Sequence, residues 1–263
     1  MISPMASIMT ARGRIGYIEA GEGDATPIVF LHGVGSDKSV WRPQLDHFAK
    51  SRRAIAFDYP GYGESELVEG ATRDDFAVAV LSAMDELEIE RAHVCGLSLG
   101  GVIAIAMHHA APKRCASLII ADSFAIHPEG QGIYDRSVAA SKAMTMRELA
   151  EARAGMLMGS AAGGRLRAEV IETMAAIDPA AYRIGAEAVW LADQREQVAA
   201  IDVPTLILVG EEDGITPPVL SDELTRLIAD SRMVQIANAG HLTNAEQPEA
   251  FNTAIESFVA ELG

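Results

Sequence analysis

Ser98 lies in the run Gly96-Leu-Ser-Leu-Gly100, directly after the apolar residues 92–95 and before a second apolar stretch that opens at Leu99. A sharp strand-to-helix turn there would force the serine into strained backbone geometry, and the flanking glycines remove side chains that would clash. Its hydroxyl would then stand at the positive end of the following helix. A hydroxyl is a poor nucleophile at its free pKa, so a base is required. Among the seven histidines, His241 follows Ala239 and Gly240 in a loop beyond the last β-rich run, where it can reach a serine at a sheet end. His47, His93, His108, His109 and His127 have no comparable setting, and His32 reads as a loop-shaping residue.

The imidazole needs a carboxylate to orient it and to stabilise its charged form. Asp213 follows the strand-like residues 205–209 and is the expected acid; Asp122 ends another strand-like run and is its rival. Acyl transfer also needs donors for a developing oxyanion. Leu31-His-Gly-Val-Gly35 follows the first buried run, and the expected donors are the backbone N–H groups of Val34 and Leu99. Asp58-Tyr-Pro-Gly-Tyr-Gly-Glu-Ser65 lacks the glycine spacing of a dinucleotide or phosphate loop and reads as a tight turn under the site.

These residues need a scaffold. Unbroken apolar runs at 27–31, 54–57, 92–95, 117–120 and 205–209, with a weaker one at 233–236, read as strands covered on both faces. Helical patterns at 72–87, 99–110, 217–229 and 248–262 separate most of them, the rhythm of an α/β domain with a largely parallel sheet. Residues 12–20 are expected to add an antiparallel edge. Residues 124–200 carry no convincing strand and read as an inserted helical cap, leaving 1–123 and 201–263 as the core. Within the cap, Thr145 and Glu148 form a capping-box pattern that starts a helix with Leu149, Ala152 and Met156 on one face. Further helices are expected at 165–177 and 179–193. Trp190, Met156, Met158 and Phe124 are the expected pocket residues, and the cap methionines could adapt to varied acyl groups.

Composition narrows the partners. Lys and Arg number 21 against 37 Asp and Glu, a formal charge of −16, which repels phosphate backbones and anionic lipid. Nucleic acid and membrane are therefore not expected as partners. Cys95 and Cys115 cannot make a disulfide framework and read as buried thiols in a reducing compartment. The first ten residues lack the pattern of a secretory leader, and a cytoplasmic location is the expectation. The sequence is compatible with a homo-oligomer.

The motifs at 31–35, 96–100 and the Asp213/His241 pair, in the order nucleophile, acid, base, resemble the α/β-hydrolase superfamily over essentially the whole chain. Gly96 to Gly101, Pro204 to Gly210 and His241-Leu-Thr-Asn-Ala-Glu-Gln-Pro248 are similar to the 3-oxoadipate enol-lactonase-like and carboxylesterase group. The resemblance implies an α/β-hydrolase fold, a mostly parallel twisted sheet flanked by helices. It also implies a Ser98–His241–Asp213 triad hydrolysing a small ester or lactone with no cofactor and no metal. C–C bond hydrolases and perhydrolases share these motifs, and a small-molecule receptor could keep the fold. One departure matters. Trp190 stands where the enol-lactonases tend to carry an arginine, which favours a neutral, apolar ester. So does the net charge, unless Arg136, Arg147, Arg153 or Arg183 lines the pocket.

Overall fold

Strands built from unbroken apolar runs fill the middle of the sheet, as coverage by helices on both faces requires. The computed structural model describes residues 6–262; Met1–Met5, part of the stretch read as leader-free, and Gly263 lie outside the described residues. β1 (Ala6–Thr10), β2 (Gly13–Ala20), β3 (Ile28–Leu31), β4 (Ala54–Phe57), β5 (Ala92–Leu97), β6 (Cys115–Ala121), β7 (Thr205–Gly210) and β8 (Ser231–Ile236) form one sheet in the order β1-β2-β4-β3-β5-β6-β7-β8. The β1–β2 and β2–β4 pairs are antiparallel, and all later pairs are parallel. The expected edge at 12–20 is therefore one strand inside the true edge. β1 pairs outside it through a hairpin in which Gly13 takes φ +96° and the Thr10 hydroxyl donates to the Gly13 carbonyl (2.8 Å). β1 is only half-buried, so its residues carry no run of core side chains.

Alternate strand residues feed two cores. Val29, Leu31 and Val94 face one, shared with α2 (Arg73–Glu86) and α3 (Leu99–Ala110). Ile28, Phe30 and Cys95 face the other, shared with α1 (Arg42–Phe48), which precedes α2. Both cysteines are buried and free, and burial pushes the Cys115 thiol up to about 12. From β3 the chain passes to β4 on one side and then to β5 on the other. That reversal opens a crevice at the carboxyl ends of β3 and β5, where sheets of this kind hold their ligands.

Between β6 and β7 the chain makes α4 (Gly130–Ala143), α5 (Met146–Leu157), α6 (Gly164–Ala175), α7 (Pro179–Trp190) and α8 (Arg195–Ala199). The Thr145–Glu148 capping box is formed and opens α5. The buried seam of α5 is Met146, Leu149, Ala150, Ala154 and Leu157, not the stripe of Leu149, Ala152 and Met156. α4 was hard to read in the sequence because the residues it buries fully are Gly130, Ser137 and Ser141, while its apolar contacts, Ile133, Tyr134 and Ala140, are only partly buried. α9 (Pro218–Leu227), α10 (Thr243–Glu246) and α11 (Pro248–Ala260) complete the chain, α9 adding Leu220 and Leu224 to the first core and α11 adding Phe251 and Ile255 to the second. Among the described residues no helix is long and apolar enough to cross a membrane.

Candidate active site

Ser98 stands between β5 and α3 with φ 56° and ψ −113°, a left-handed conformation that an L-residue holds only when its surroundings force it. Its N–H donates to the Ala121 carbonyl (2.9 Å), and its own carbonyl accepts from the Ser123 hydroxyl (2.9 Å). The glycines around it are required by close approach. A methyl on Gly96 would overlap the Gly100 carbonyl, and one on Gly100 would overlap the Leu31 carbonyl. β5, α3 and β3 thus meet backbone to backbone, which is what permits so tight a turn.

His241 follows β8 and precedes α10. Its Nδ1 lies 2.8 Å from Asp213 Oδ2. Thr216 hydroxyl donates to the same Asp213 oxygen (2.7 Å), and Asp213 Oδ1 accepts from the N–H groups of Ile215 and Thr216 (2.8 and 3.0 Å). A proton on Nδ1 facing the carboxylate leaves Nε2 as the basic nitrogen. Burial would raise the Asp213 pKa, but His241 and the Thr216 hydrogen bonds outweigh it and hold it at about 2. Burial would lower that of His241; the Asp213 charge and hydrogen bond, aided by Asp122 and opposed by Arg153, raise it above its ordinary value.

Asp122 is fully buried with φ 46° and makes no hydrogen bond to His241; it accepts from Gly210 N–H (2.9 Å) and from the Thr243 hydroxyl (2.5 Å). Burial and the neighbouring Asp213 raise the pKa of its carboxyl well above the usual carboxylate range. The geometry pairs Asp213, not Asp122, with the imidazole.

The loop after β3 has its carbonyls held one by one. Tyr59 hydroxyl donates to His32 O (3.0 Å), and Tyr62 hydroxyl to Val34 O (3.2 Å). Gly33 O accepts from His32 Nδ1 (2.8 Å) and Ser36 N–H (3.2 Å). Burial lowers the His32 pKa to about 4, which keeps the ring neutral. A peptide group is planar and trans, so holding Gly33 C=O on one side turns Val34 N–H to the other. Among the described residues, neither Val34 N–H nor Leu99 N–H meets a protein acceptor. A methyl on Gly33 would lie 3.5 Å from Ser98 Cβ, so the loop abuts the serine. The Asp58–Ser65 turn therefore supports the site through Tyr59 and Tyr62, and buried Lys38 pairs with Asp58 and Glu64 beneath it.

Ser98 and His241 open on one cavity of about 640 Å³, and Leu157, Met174, Trp190 and Ile215 are among its apolar wall residues. Of the expected pocket residues, Trp190 is in that wall. Met156 is not: it is 57% exposed on the outer side of α5, one residue and about 100° of helix away from Leu157, which takes the place expected of it. Phe124 is core, stacked on Trp190 at 5.9 Å, and Met158 packs into the second core. Of the four arginines noted in the sequence only Arg153 lines the cavity, with Arg42 and Arg165 added; Arg147 is bound to Glu172 (2.6 Å). Thr216, Tyr59, Tyr62 and Leu157 were not singled out in the sequence, because their roles arise from tertiary approach alone. Among the described residues no group of three or more His, Cys, Asp or Glu could hold a metal ion.

A family profile described as the alpha/beta hydrolase fold matches residues 26–248. The chain is 29% identical over 244 residues to 3-oxoadipate enol-lactonase 1 of Acinetobacter baylyi, covering 92% of this chain and 91% of that one. The enol-lactonase of Burkholderia xenovorans superimposes with a TM-score of 0.91 at 26% identity, covering 97% of this chain and all of that one. A thermophilic esterase of Thermogutta terrifontis, with malate bound, gives a TM-score of 0.91 at 26% identity and 99% coverage of each chain. With the sheet order, the strained serine turn and these matches together, the chain belongs to the α/β hydrolase family.

Proposed function

We propose that this hydrolase cleaves small carboxylic esters or lactones through an acyl-enzyme on Ser98. The observation that carries this reading is the Asp213–His241 hydrogen bond at 2.8 Å on the wall of the cavity that also holds Ser98. His241 Nε2 takes the Ser98 proton as Oγ attacks the carbonyl carbon, and returns it to the leaving alcohol. Val34 and Leu99 N–H groups receive the oxyanion, one such donor being worth ~10²–10³ in rate. Water, deprotonated by His241, then releases the acid and regenerates Ser98. Residues 1–123 and 201–263 serve as the catalytic core and residues 124–200 as the cap that selects substrate.

Trp190, Leu157 and Met174 suit an apolar acyl group, and the acidic chain as a whole disfavours a dianion. The substrate class is therefore an ester or lactone with an apolar body, and Arg153 governs how much negative charge it can carry. The test is p-nitrophenyl butyrate turnover by Ser98→Ala. The variant should be folded and inactive; near-normal turnover would remove Ser98 from the mechanism.

A further inference from the structure

The turn between α5 and α6 meets the His241 loop backbone to backbone. His241 N–H donates to the Leu157 carbonyl (2.9 Å). A methyl on Gly159 would lie 2.8 Å from Gly240 N and 3.0 Å from the Ala239 carbonyl carbon, and one on Gly240 would overlap Gly159 N. Glu246 spans this junction: Oε2 accepts from Gly159 N–H (2.7 Å), and Oε1 accepts from Gly240 N–H (3.0 Å) and Leu242 N–H (3.2 Å). One residue further on, Ser160 N–H and hydroxyl donate to Glu212 (2.7 and 3.0 Å), the neighbour of Asp213.

We infer that Glu246 is a positioning residue for acyl transfer, acting through the peptide groups on either side of His241, with the α5–α6 turn as the other half of the seat. This rests on the assignment of His241 as the base. Hydrogen bonds from backbone N–H to a carboxylate are charge-assisted and among the stronger ones available. Two of them pin the residues before and after His241, and the third ties that carboxylate to the inserted helices. The Leu157 carbonyl holds the N–H of His241 itself. α5 also supplies Arg153 and Leu157 to the cavity wall, so the helix that contacts the acyl group is the one on which the base is seated. The insertion is thus part of the catalytic frame as well as a cover.

The test is steady-state hydrolysis of p-nitrophenyl butyrate by wild type, Glu246→Ala, Glu246→Gln, Gly159→Ala and His241→Ala, each checked for folding by circular dichroism. A base displaced by ~1 Å loses ~10²-fold in rate, so Glu246→Ala should lower kcat by about that factor and leave KM within ~3-fold. Glu246→Gln keeps an oxygen for Gly240 and Leu242 but sets an amide N–H₂ against Gly159 N–H, and should fall between wild type and Glu246→Ala. Gly159→Ala pushes the turn off the loop with Glu246 intact and should also lower kcat rather than raise KM. If kcat stays within ~2-fold of wild type in Glu246→Ala while His241→Ala is inactive, the inference falls, whatever Gly159→Ala does, and the base assignment stands. If His241→Ala retains turnover, the assignment it rests on falls. Should Glu246→Ala fail to fold, Glu246→Gln and Gly159→Ala decide the matter.

Discussion

Asp213 and Asp122 both lie close enough to His241 to act on its charge, yet only Asp213 is hydrogen-bonded to the ring, at 2.8 Å. The Asp122 carboxyl is turned to Gly210 N–H and the Thr243 hydroxyl, and burial beside Asp213 raises its pKa. Two buried carboxyls side by side cannot both be charged at low cost, and their environments push their pKa values apart. One holds the imidazole of His241, the proposed base; the other ties the end of β7 to the loop that follows His241.

Asp213→Asn should therefore lower kcat by ~10⁴-fold, the cost of stabilising the wrong imidazole tautomer. Asp122→Asn keeps an oxygen that accepts from Gly210 and leaves the Asp213–imidazole hydrogen bond untouched, and should keep kcat within ~5-fold. Ester turnover by the two variants checks this; the reverse ranking would transfer the acid role to Asp122.

The pH profile of kcat/KM should lose activity on the acid side with a midpoint above pH 6.5. Burial alone would lower the His241 pKa, but Asp213 raises it overall, and protonation removes the base. The Asp213 pKa is depressed from 3.8 to about 2, so its contribution to stability is present above pH 3.8 and is lost as pH falls toward 2. Denaturant midpoints measured across that window should fall more steeply for wild type than for Asp213→Asn.

His32 holds Gly33 C=O and thereby aims Val34 N–H. His32→Ala should lower kcat by roughly 10–10²-fold, below the full loss of an oxyanion donor, with KM little changed. Tyr62→Phe, which releases the Val34 carbonyl, should show a smaller effect of the same kind. Steady-state kinetics on one ester compares the two.

The residues proposed for the chemistry stand out in the sequence because their signals are local and ordered. Ser98, Asp213 and His241 each follow a strand, and Gly96 and Gly100 stand where backbones must touch. The buried strands were legible as unbroken apolar runs. The insertion was harder. α4 fully buries only glycine and serine, its apolar residues being half-covered, and Met156 lies one residue off the seam of α5, since a single step around a helix turns a side chain by ~100°. Glu246 lies within the 241–248 run that carries the resemblance, but its hydrogen bonds, like that of the Leu157 carbonyl, are to backbone N–H groups that only the folded chain brings near.

Arg153 lines the cavity, and among the described residues it has no carboxylate partner. Wild type should prefer p-nitrophenyl hexanoate to the p-nitrophenyl half-ester of adipic acid. Arg153→Met should widen that preference by ~10-fold or more, the worth of one charged hydrogen bond, while leaving the hexanoate rate nearly unchanged. Equal effects on both esters would show that Arg153 does not read substrate charge.

The proposed reaction passes through a covalent acyl group on Ser98. Intact-protein and peptide mass spectrometry of enzyme quenched during turnover of a slowly released ester tests it directly. An acyl-enzyme on Ser98 gives one acyl group per chain, on the peptide containing Ser98 and absent from Ser98→Ala. Turnover with an acyl group on another residue, or persisting unchanged in Ser98→Ala, would contradict it.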